Sequence, residues 1–463
     1  MLSTIFILSN TTTGAASAIQ SDSSGSIESQ TSTDWPAAPS VTAESAIVMD
    51  ISTGLVLYEK NSKEAKYPAS ITKIMTTLLA LENSSLNDTV TFSRDAVFGV
   101  DLDSSRIGID VGEQLSMEDS LYGIMLASAN EVSYAVAEHV SGTMEAFVDL
   151  MNERAQELGC VNTNFTNPHG LQDPNHYTCA YDMALIAQEA IKNTTFAQIT
   201  GARTYVIPPT NLQVESRPLA NHHKFLKRDL IYEGAIGGKT GYTSAAKYTL
   251  VTYAKRGDME LVCVVMASDS ITTEYTDTSA LLDYAFDNFS IYSISTSENE
   301  LLSKESPLFT QYSTIFNADH AFLTTGENGY VVLPNYADFN DATKEVTYQT
   351  IDSLNEGDNV IGRVTYTYQG MTVGQTDIIY RNTETTVLPT RINSLLDTQN
   401  QSTVTNNRNK LQKLLPTLGI VVLSCAVIGF VGYYLYVQHR RIKRRNAYLK
   451  RRKSYKRNFH DFD

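Results

Sequence analysis

Apolar runs broken by turn residues bracket a long stretch of helical character. In "ESAIVMDISTGLVLYEKN", residues 44–61, two apolar runs flank Ser52-Thr53-Gly54, which predicts a β-hairpin. A second hairpin is predicted where "KYTLVTYA" and "MELVCVVMA" flank Lys255-Arg256-Gly257-Asp258. Between the two, Ile71, Ile74, Met75 and Leu78 fall at i, i+3, i+4 and i+7, and Leu121, Ile124 and Met125 begin a similar stripe. Strands at both ends with helices between them, over residues 41–297, predict an antiparallel sheet whose first and last strands meet, carrying a helical cluster. From residue 298 to 393 the pattern shifts to short β-prone runs ("GYVVLPN", "EVTYQTI", "NVIGRVTYTYQGMTVG") separated by Gly, Asn and Asp, which predicts a small all-β domain.

The ends of the chain behave differently. Residues 414–437, "LLPTLGIVVLSCAVIGFVGYYLYV", carry no charge, and at roughly 1.5 Å per residue a helix of this length crosses a hydrocarbon core of ~30 Å. Tyr433, Tyr434 and Tyr436 would sit in an interfacial belt, and the basic segment 438–463 would lie in the cytoplasm. That tail holds 11 Lys/Arg and two acids, leaving 25 basic against 49 acidic side chains for residues 1–437. A body so acidic is repelled by phosphate backbones, which argues against nucleic-acid binding.

Everything ahead of residue 414 is then expected on the extracellular side of a cell membrane, as the ectodomain of a single-pass protein. Residues 1–18 offer a short apolar patch and an Ala16-Ser17-Ala18 site without a basic region, the pattern of a weak or truncated signal peptide. Ser/Thr-rich residues 19–40 read as a flexible leader, with order starting near Thr42, and 394–413 as a polar linker. Of the cysteines, Cys160, Cys179 and Cys263 precede the span, and Cys160 with Cys179 is one possible pair. No Cys or His spacing reads as a metal site.

Three short motifs carry candidate chemistry. Ser70 opens the periodic run after Pro68 and is placed either as a helix cap or as a nucleophile, because Lys73 lies one helical turn away. A lysine beside a serine acts as its base once burial or another cation lowers its pKa. Ser128-Ala129-Asn130, followed by Glu131, also matches a capping box. "GGKTGYT" places Lys239, Thr240, Gly241 and Tyr242 ahead of the strand "KYTLVTYA". A Walker A loop would need glycine at position 233, which is Glu233, and a helix rather than a strand after it.

In chain order these are S-x-x-K, S-x-N and K-T-G, the signature of penicillin-recognising serine enzymes. Over residues 40–395, including "YPASITKIMT", "SSRIGIDVGEQLSMEDSLYGIMLASANE", "NTNFTNPHGLQDPNHYT" and "GGKTGYT", the sequence resembles the D-alanyl-D-alanine carboxypeptidases, low-molecular-weight penicillin-binding proteins. The resemblance implies an α/β catalytic domain of the β-lactamase type that cleaves the terminal D-Ala from peptidoglycan stem peptides, without metal or organic cofactor, and is acylated by β-lactam inhibitors. It implies Ser70 as nucleophile, Lys73 as base, Ser128 as proton relay, and Asn130, Lys239 and Thr240 as substrate-binding groups. Backbone N–H groups of Ser70 and of Tyr242, next to Gly241, would form the oxyanion hole.

Two departures from the family pattern stand out. "MASDSITTEYTDTS", after the last sheet strand, lacks the arginine that some members use for the substrate carboxylate, and Ala129 replaces a common glycine. His169 in "NPHGL" lacks a supporting acid motif and reads as a loop or core histidine. The alternatives are a DD-endopeptidase cutting cross-links, a β-lactamase, for which no E-x-x-L-N stands between Asn130 and Lys239, and an inactive wall-binding scaffold.

Overall fold

The computed structural model describes residues 35–298, 323–349, 353–382 and 386–387. The predicted signal segment, linker, membrane span and basic tail all lie outside the described residues, as does the leader up to residue 34. Among the described residues no helix is long and apolar enough to cross a membrane.

Both predicted hairpins form, and they meet. Strands β1 (Ser45–Asp50) and β2 (Val56–Lys60) make the first. Two short antiparallel pairs, β3 (Thr89–Thr91) with β4 (Gln114–Ser116) and β5 (Thr204–Ile207) with β6 (Arg217–Ala220), lie on the helical side. The main sheet continues with β7 (Ala235–Thr243), β8 (Lys247–Arg256) and β9 (Met259–Ser268) in the spatial order β2-β1-β9-β8-β7. The first strand therefore sits beside the last, antiparallel, with Val48 opposite Cys263.

Alternate residues of the central strands feed two cores. Val262, Val264 and Met266, with Ile47 and Met49, face the helical cluster. Leu261, Cys263 and Val265, with Ala46 and Val48, face the opposite side. This two-sided burial is why "LVCVVM" is an unbroken apolar run, and each such side chain contributes about 1.5–3 kcal/mol relative to exposure.

The helical cluster comprises α1 (Lys73–Asn83), α2 (Arg94–Phe98), α3 (Met117–Leu126), α4 (Asn130–Ser141), α5 (Met144–Glu157), α6 (Ala180–Ile191) and α7 (Thr194–Gly201). A short α8 (Lys224–Lys227) leads into β7, and α9 (Ile271–Asn288) follows β9. Leu281, Leu282 and Ala285 of α9 fill the second core together with a second sheet. Its order is β10-β12-β16-β15-β13, where β10 is Phe289–Ser293, β12 Tyr330–Pro334, β13 Thr343–Tyr348, β15 Gly357–Tyr368 and β16 Met371–Asn382. The short β11 (Leu323–Thr325) adds to β16, and β14 (Ser353–Leu354) pairs with β17 (Thr386–Val387). The tight β15–β16 turn uses φ of 50° at Gln369 and 80° at Gly370, the left-handed pair a two-residue hairpin demands.

Three sequence expectations change. The second sheet takes its edge strand from Phe289–Ser293, ahead of residue 298, because β10 continues directly from α9. The leader is anchored before Thr42: the Trp35 ring lies 5.0 Å from that of Phe289, and the Tyr284 hydroxyl donates to the Pro36 carbonyl at 2.9 Å. Cys160 and Cys179 are free and buried. Cys160 Sγ turns to the Asp182 carbonyl at 3.6 Å, while Cys179 Sγ accepts the Asp182 N–H at 3.4 Å and caps α6.

Candidate active site

Neither serine of the first two motifs is a cap. Ser70 lies inside a 3-10 turn, Ala69–Thr72, that precedes α1, and Pro68 occupies the cap position without a side-chain bond. The turn is set by φ of 51° at Ala69 and by the loop beneath it. Gly170 (φ 84°) passes so close that a Cβ there would lie 1.9 Å from the Ala69 carbonyl oxygen. Ser128 adopts φ of 59°, and Ala129 takes the cap position of α4 with no side-chain bond. The expected capping box is absent because the Glu131 carboxylate is committed elsewhere, accepting the N–H of Ile107 at 2.8 Å and of Gly108 at 3.2 Å.

Freed from capping, the side chains turn to one another. Lys73 Nζ is 3.0 Å from Ser70 Oγ and 2.6 Å from both Asn130 Oδ1 and the His169 carbonyl oxygen. Lys73 is fully buried, and burial, with the Lys239 charge as second cause, holds its pKa well below the usual lysine range. A neutral amine has two N–H donors and one lone pair. Asn130 Oδ1 and the His169 carbonyl only accept, so they take the two donors, and the lone pair is left for the Ser70 hydroxyl.

The loop that carries His169 is held by its own polar groups. Asn167 Oδ1 accepts the N–H of Gly170 at 2.7 Å, and Thr76 Oγ1 donates to the Pro168 carbonyl at 2.6 Å. His176 Nδ1 accepts the Thr166 N–H at 3.0 Å, which places its proton on Nε2, 2.9 Å from Thr72 Oγ1. Burial lowers the His176 pKa to about 4, so this brace stays neutral. The His169 ring is buried and held neutral, and only its backbone carbonyl reaches Lys73.

Lys239, Thr240, Gly241 and Tyr242 precede β8, the strand predicted at "KYTLVTYA", and are themselves part of β7, the edge strand, with Lys239 opposite Val251 and Tyr242 opposite Tyr248. The glycines that lower β propensity here are needed for close approach. A Cβ on Gly237 would come within 2.7 Å of Thr200 Cγ2, and one on Gly241 within 2.8 Å of the Ser70 nitrogen and 2.4 Å of Thr249 Oγ1. Thr249 Oγ1 also donates to the Pro68 carbonyl at 2.8 Å, so β8 anchors the serine turn. Gly241→Ala is therefore expected to cost about 1–3 kcal/mol through overpacking and to slow acylation of Ser70. A thermal melt run alongside a penicillin-labelling time course measures both.

Ser70, Ser128, Asn130, Thr240, Gly241 and Tyr242 share a cleft of about 460 Å³. Lys73 and Lys239 lie buried beside it, 0% and 1% exposed. Burial lowers the Lys239 pKa to about 7, and its Nζ donates to the Thr240 carbonyl at 3.0 Å. The His169 carbonyl, Gly170, the His176–Thr72 brace and Thr249 were not singled out by sequence reasoning. For His169 and Gly170 the "NPHG" turn residues were a visible signal; Thr249 and the His176–Thr72 brace had none.

Residues 31–270, just over half the chain, match the family described as D-alanyl-D-alanine carboxypeptidase. D-alanyl-D-alanine carboxypeptidase DacF of Bacillus subtilis is 35% identical over 317 residues, covering 66% of this chain and 76% of that protein. DacC of Escherichia coli is 29% identical over 364 residues, 74% of this chain and 84% of its own. Among solved structures, penicillin binding protein 5 from Haemophilus influenzae superimposes with a TM-score of 0.59 at 27% identity, covering 76% of this chain and 99% of that one. The Streptomyces K15 DD-transpeptidase gives 0.51 at 30% identity, covering 54% and 99%. A matched span that contains all three motifs, on a fold shared with these relatives, means that the chain belongs to the D-alanyl-D-alanine carboxypeptidase family.

Proposed function

We propose that this protein is a serine D-Ala-D-Ala carboxypeptidase that trims the terminal D-alanine from peptidoglycan stem pentapeptides and is acylated at the same serine by β-lactams. The observation that carries the reading is the clamped Lys73 amine, aimed at Ser70 Oγ 3.0 Å away at the edge of an open cleft.

Ser70 Oγ attacks the carbonyl carbon of the penultimate D-Ala while its proton passes to Lys73 Nζ. The developing oxyanion is held by the backbone N–H groups of Ser70 and Tyr242, and Asn130 together with the free edge of β7 receives the peptide as an added strand. The C–N bond then breaks, Ser128 relays a proton to the departing amine, and free D-alanine leaves an ester on Ser70. Water hydrolyses that ester and returns the proton to the serine. Lys239, with Thr240, draws the substrate carboxylate and helps keep Lys73 deprotonated.

Asp103 and Glu274 are the carboxylates that line the cleft, and among the described residues neither hydrogen-bonds to Ser70 or Lys73. Neither is placed at Ser70 as the deacylating glutamate of a β-lactamase would be, and slow release of bound penicillin is the expected result.

The uncharged residues 414–437 and the basic tail support a membrane-anchored enzyme with its catalytic domain on the extracellular side. One experiment tests both readings: membranes from cells expressing the full chain are given purified monomeric pentapeptides and cross-linked muropeptides. The expected result is activity that sediments with the membranes and a loss of one D-alanine mass from the monomers, with cross-linked dimers left intact. Cleavage of the dimers would make it a DD-endopeptidase, and activity in the supernatant would refute the anchor.

A further inference from the structure

A second hollow lies around the tip of the β7–β8 hairpin from the cleft. Thr243 and Tyr248 line the cleft, whereas Ala245, Ala246 and Lys247, the turn between them, line a hollow of about 370 Å³. The acylation chemistry uses none of its residues.

One wall is built by the segment that leads into the nucleophile. Lys66 and Thr178 form an antiparallel bridge, each donating its N–H to the other's carbonyl, at 2.7 and 2.9 Å. The next pair along is Tyr67 and Tyr177, and residues opposite each other in an antiparallel pair put their side chains on one face. Both tyrosines line the hollow beside Pro174, and Tyr67 stands three residues ahead of Ser70. Tyr177 is 37% exposed, and neither hydroxyl has a hydrogen-bond partner among the described residues. Ala65, Ala245, Ala246 and Ala267 supply small side chains around the rings. Ala267, with φ of 55°, lies in a β-bulge: β9 carries one extra residue between Val265 and Ser268, so regular pairing is interrupted beside the hollow.

The rim is charged, but its charges are spent on one another. Lys66 Nζ lies 2.9 Å from Glu44 and 3.4 Å from Glu64, and Lys247 Nζ lies 2.8 Å from Glu44 and 2.7 Å from Asp269. An ionic ligand would have to compete with these pairs. A neutral ligand with an apolar face and many hydroxyls can use the rings and the rim as they stand.

The direction of the substrate leads to this place. With the terminal carboxylate drawn to Lys239 and Thr240 and the oxyanion held at Tyr242, the part of the peptide ahead of the scissile bond runs past Thr243 toward the hairpin tip. A pentapeptide has four residues on that side, about 13 Å when extended, and Ala245 is three residues from Tyr242, at most about 10 Å.

We propose that this hollow binds the sugar to which the stem peptide is attached, an uncharged N-acetylated saccharide packed on Tyr177 and Tyr67. This rests on the DD-peptidase reading above. The C–H face of the sugar ring covers the aromatic rings, and its hydroxyl and acetamido groups meet the free tyrosine hydroxyls and the Glu44–Lys247 rim.

The test uses the full chain and two uncrosslinked substrates, the stem pentapeptide alone and the same pentapeptide on its N-acetylated disaccharide. Wild type is expected to favour the glycosylated peptide by about three- to tenfold in kcat/KM through a lower KM, the scale of one aromatic packing contact. Tyr177→Ala should raise the KM of the glycosylated peptide to that of the bare one, with kcat little changed, and Tyr177→Trp should restore the difference. Ala245→Leu, whose apolar chain covers the rings, should act as Tyr177→Ala does. The assignment is overturned if wild type handles the two peptides alike, or if Tyr177→Ala, still labelled by penicillin, keeps the preference. Should that variant lose labelling, Ala245→Leu decides in its place. Those outcomes leave penicillin acylation of wild-type Ser70 intact; a wild-type chain that neither cleaves peptide nor takes up penicillin overturns the peptidase reading as well.

Discussion

Ser70→Ala is expected to abolish covalent labelling by fluorescent penicillin and to reduce release of D-alanine to background, because the atom that forms the ester is gone. The variant is a clean test because little else depends on the hydroxyl. Its hydrogen-bond partner is Lys73 Nζ, which keeps Asn130 Oδ1 and the His169 carbonyl at 2.6 Å. Removing one such bond at a half-buried site costs about 0.5–1.5 kcal/mol. The folded fraction, followed by near-UV circular dichroism and thermal melting, should therefore change little while labelling disappears. Equal labelling of wild type and variant would place the nucleophile elsewhere and remove the basis of the proposed mechanism.

The wild-type acyl-enzyme should also persist. A β-lactamase clears such an ester with a carboxylate-activated water, whereas the carboxyl groups of this cleft, an exposed Asp103 and a buried Glu274, bond to neither Ser70 nor Lys73. Penicillin label chased with unlabelled drug should decay slowly compared with turnover of the natural peptide.

The sequence was most informative where chemistry depends on spacing along the chain. Ser70 and Lys73 three apart, and two hairpins whose strands could meet, could be read without tertiary information. Contacts between distant segments could not. The backbone at Ser70 is a 3-10 turn rather than a helix start because Gly170, a hundred residues on, lies against Ala69. The Lys-Thr-Gly segment is a strand despite its glycines because Thr200, Thr249 and the serine turn leave no room for side chains. Hydrophilic residues misled in the same way: Lys73, Lys239 and Glu274 look like surface groups in the sequence, and each is almost wholly buried. Their burial, which no local pattern reveals, sets their protonation and so their chemistry.

Lys73→Arg should be nearly as damaging as loss of the nucleophile, even though size and charge type are conserved. An amine with the ordinary pKa of about 10.4 would be free in roughly one molecule in a few thousand at neutral pH. Burial and the nearby Lys239 charge displace Lys73 well below its usual 10.5, which raises the reactive fraction accordingly. A guanidinium does not deprotonate in proteins, so the variant keeps a cation where a base is needed. The expected loss in acylation rate is about 10²–10⁴-fold, the usual worth of a positioned base. In the wild type, acylation should rise with pH through the depressed Lys73 pKa and then level off, whereas the arginine variant should show no such limb. Stability follows the same sign. Below 10.5 the unfolded chain binds a proton that folded Lys73 refuses, so stability falls as pH drops until the folded pKa is passed. Lys73→Met, which removes that proton site, should flatten this part of the melting-temperature profile while leaving the enzyme inactive. Stopped-flow acylation and thermal melts over one pH series separate the two effects. An arginine variant that acylates at the wild-type rate, with the wild-type pH limb, would show that the base is another group.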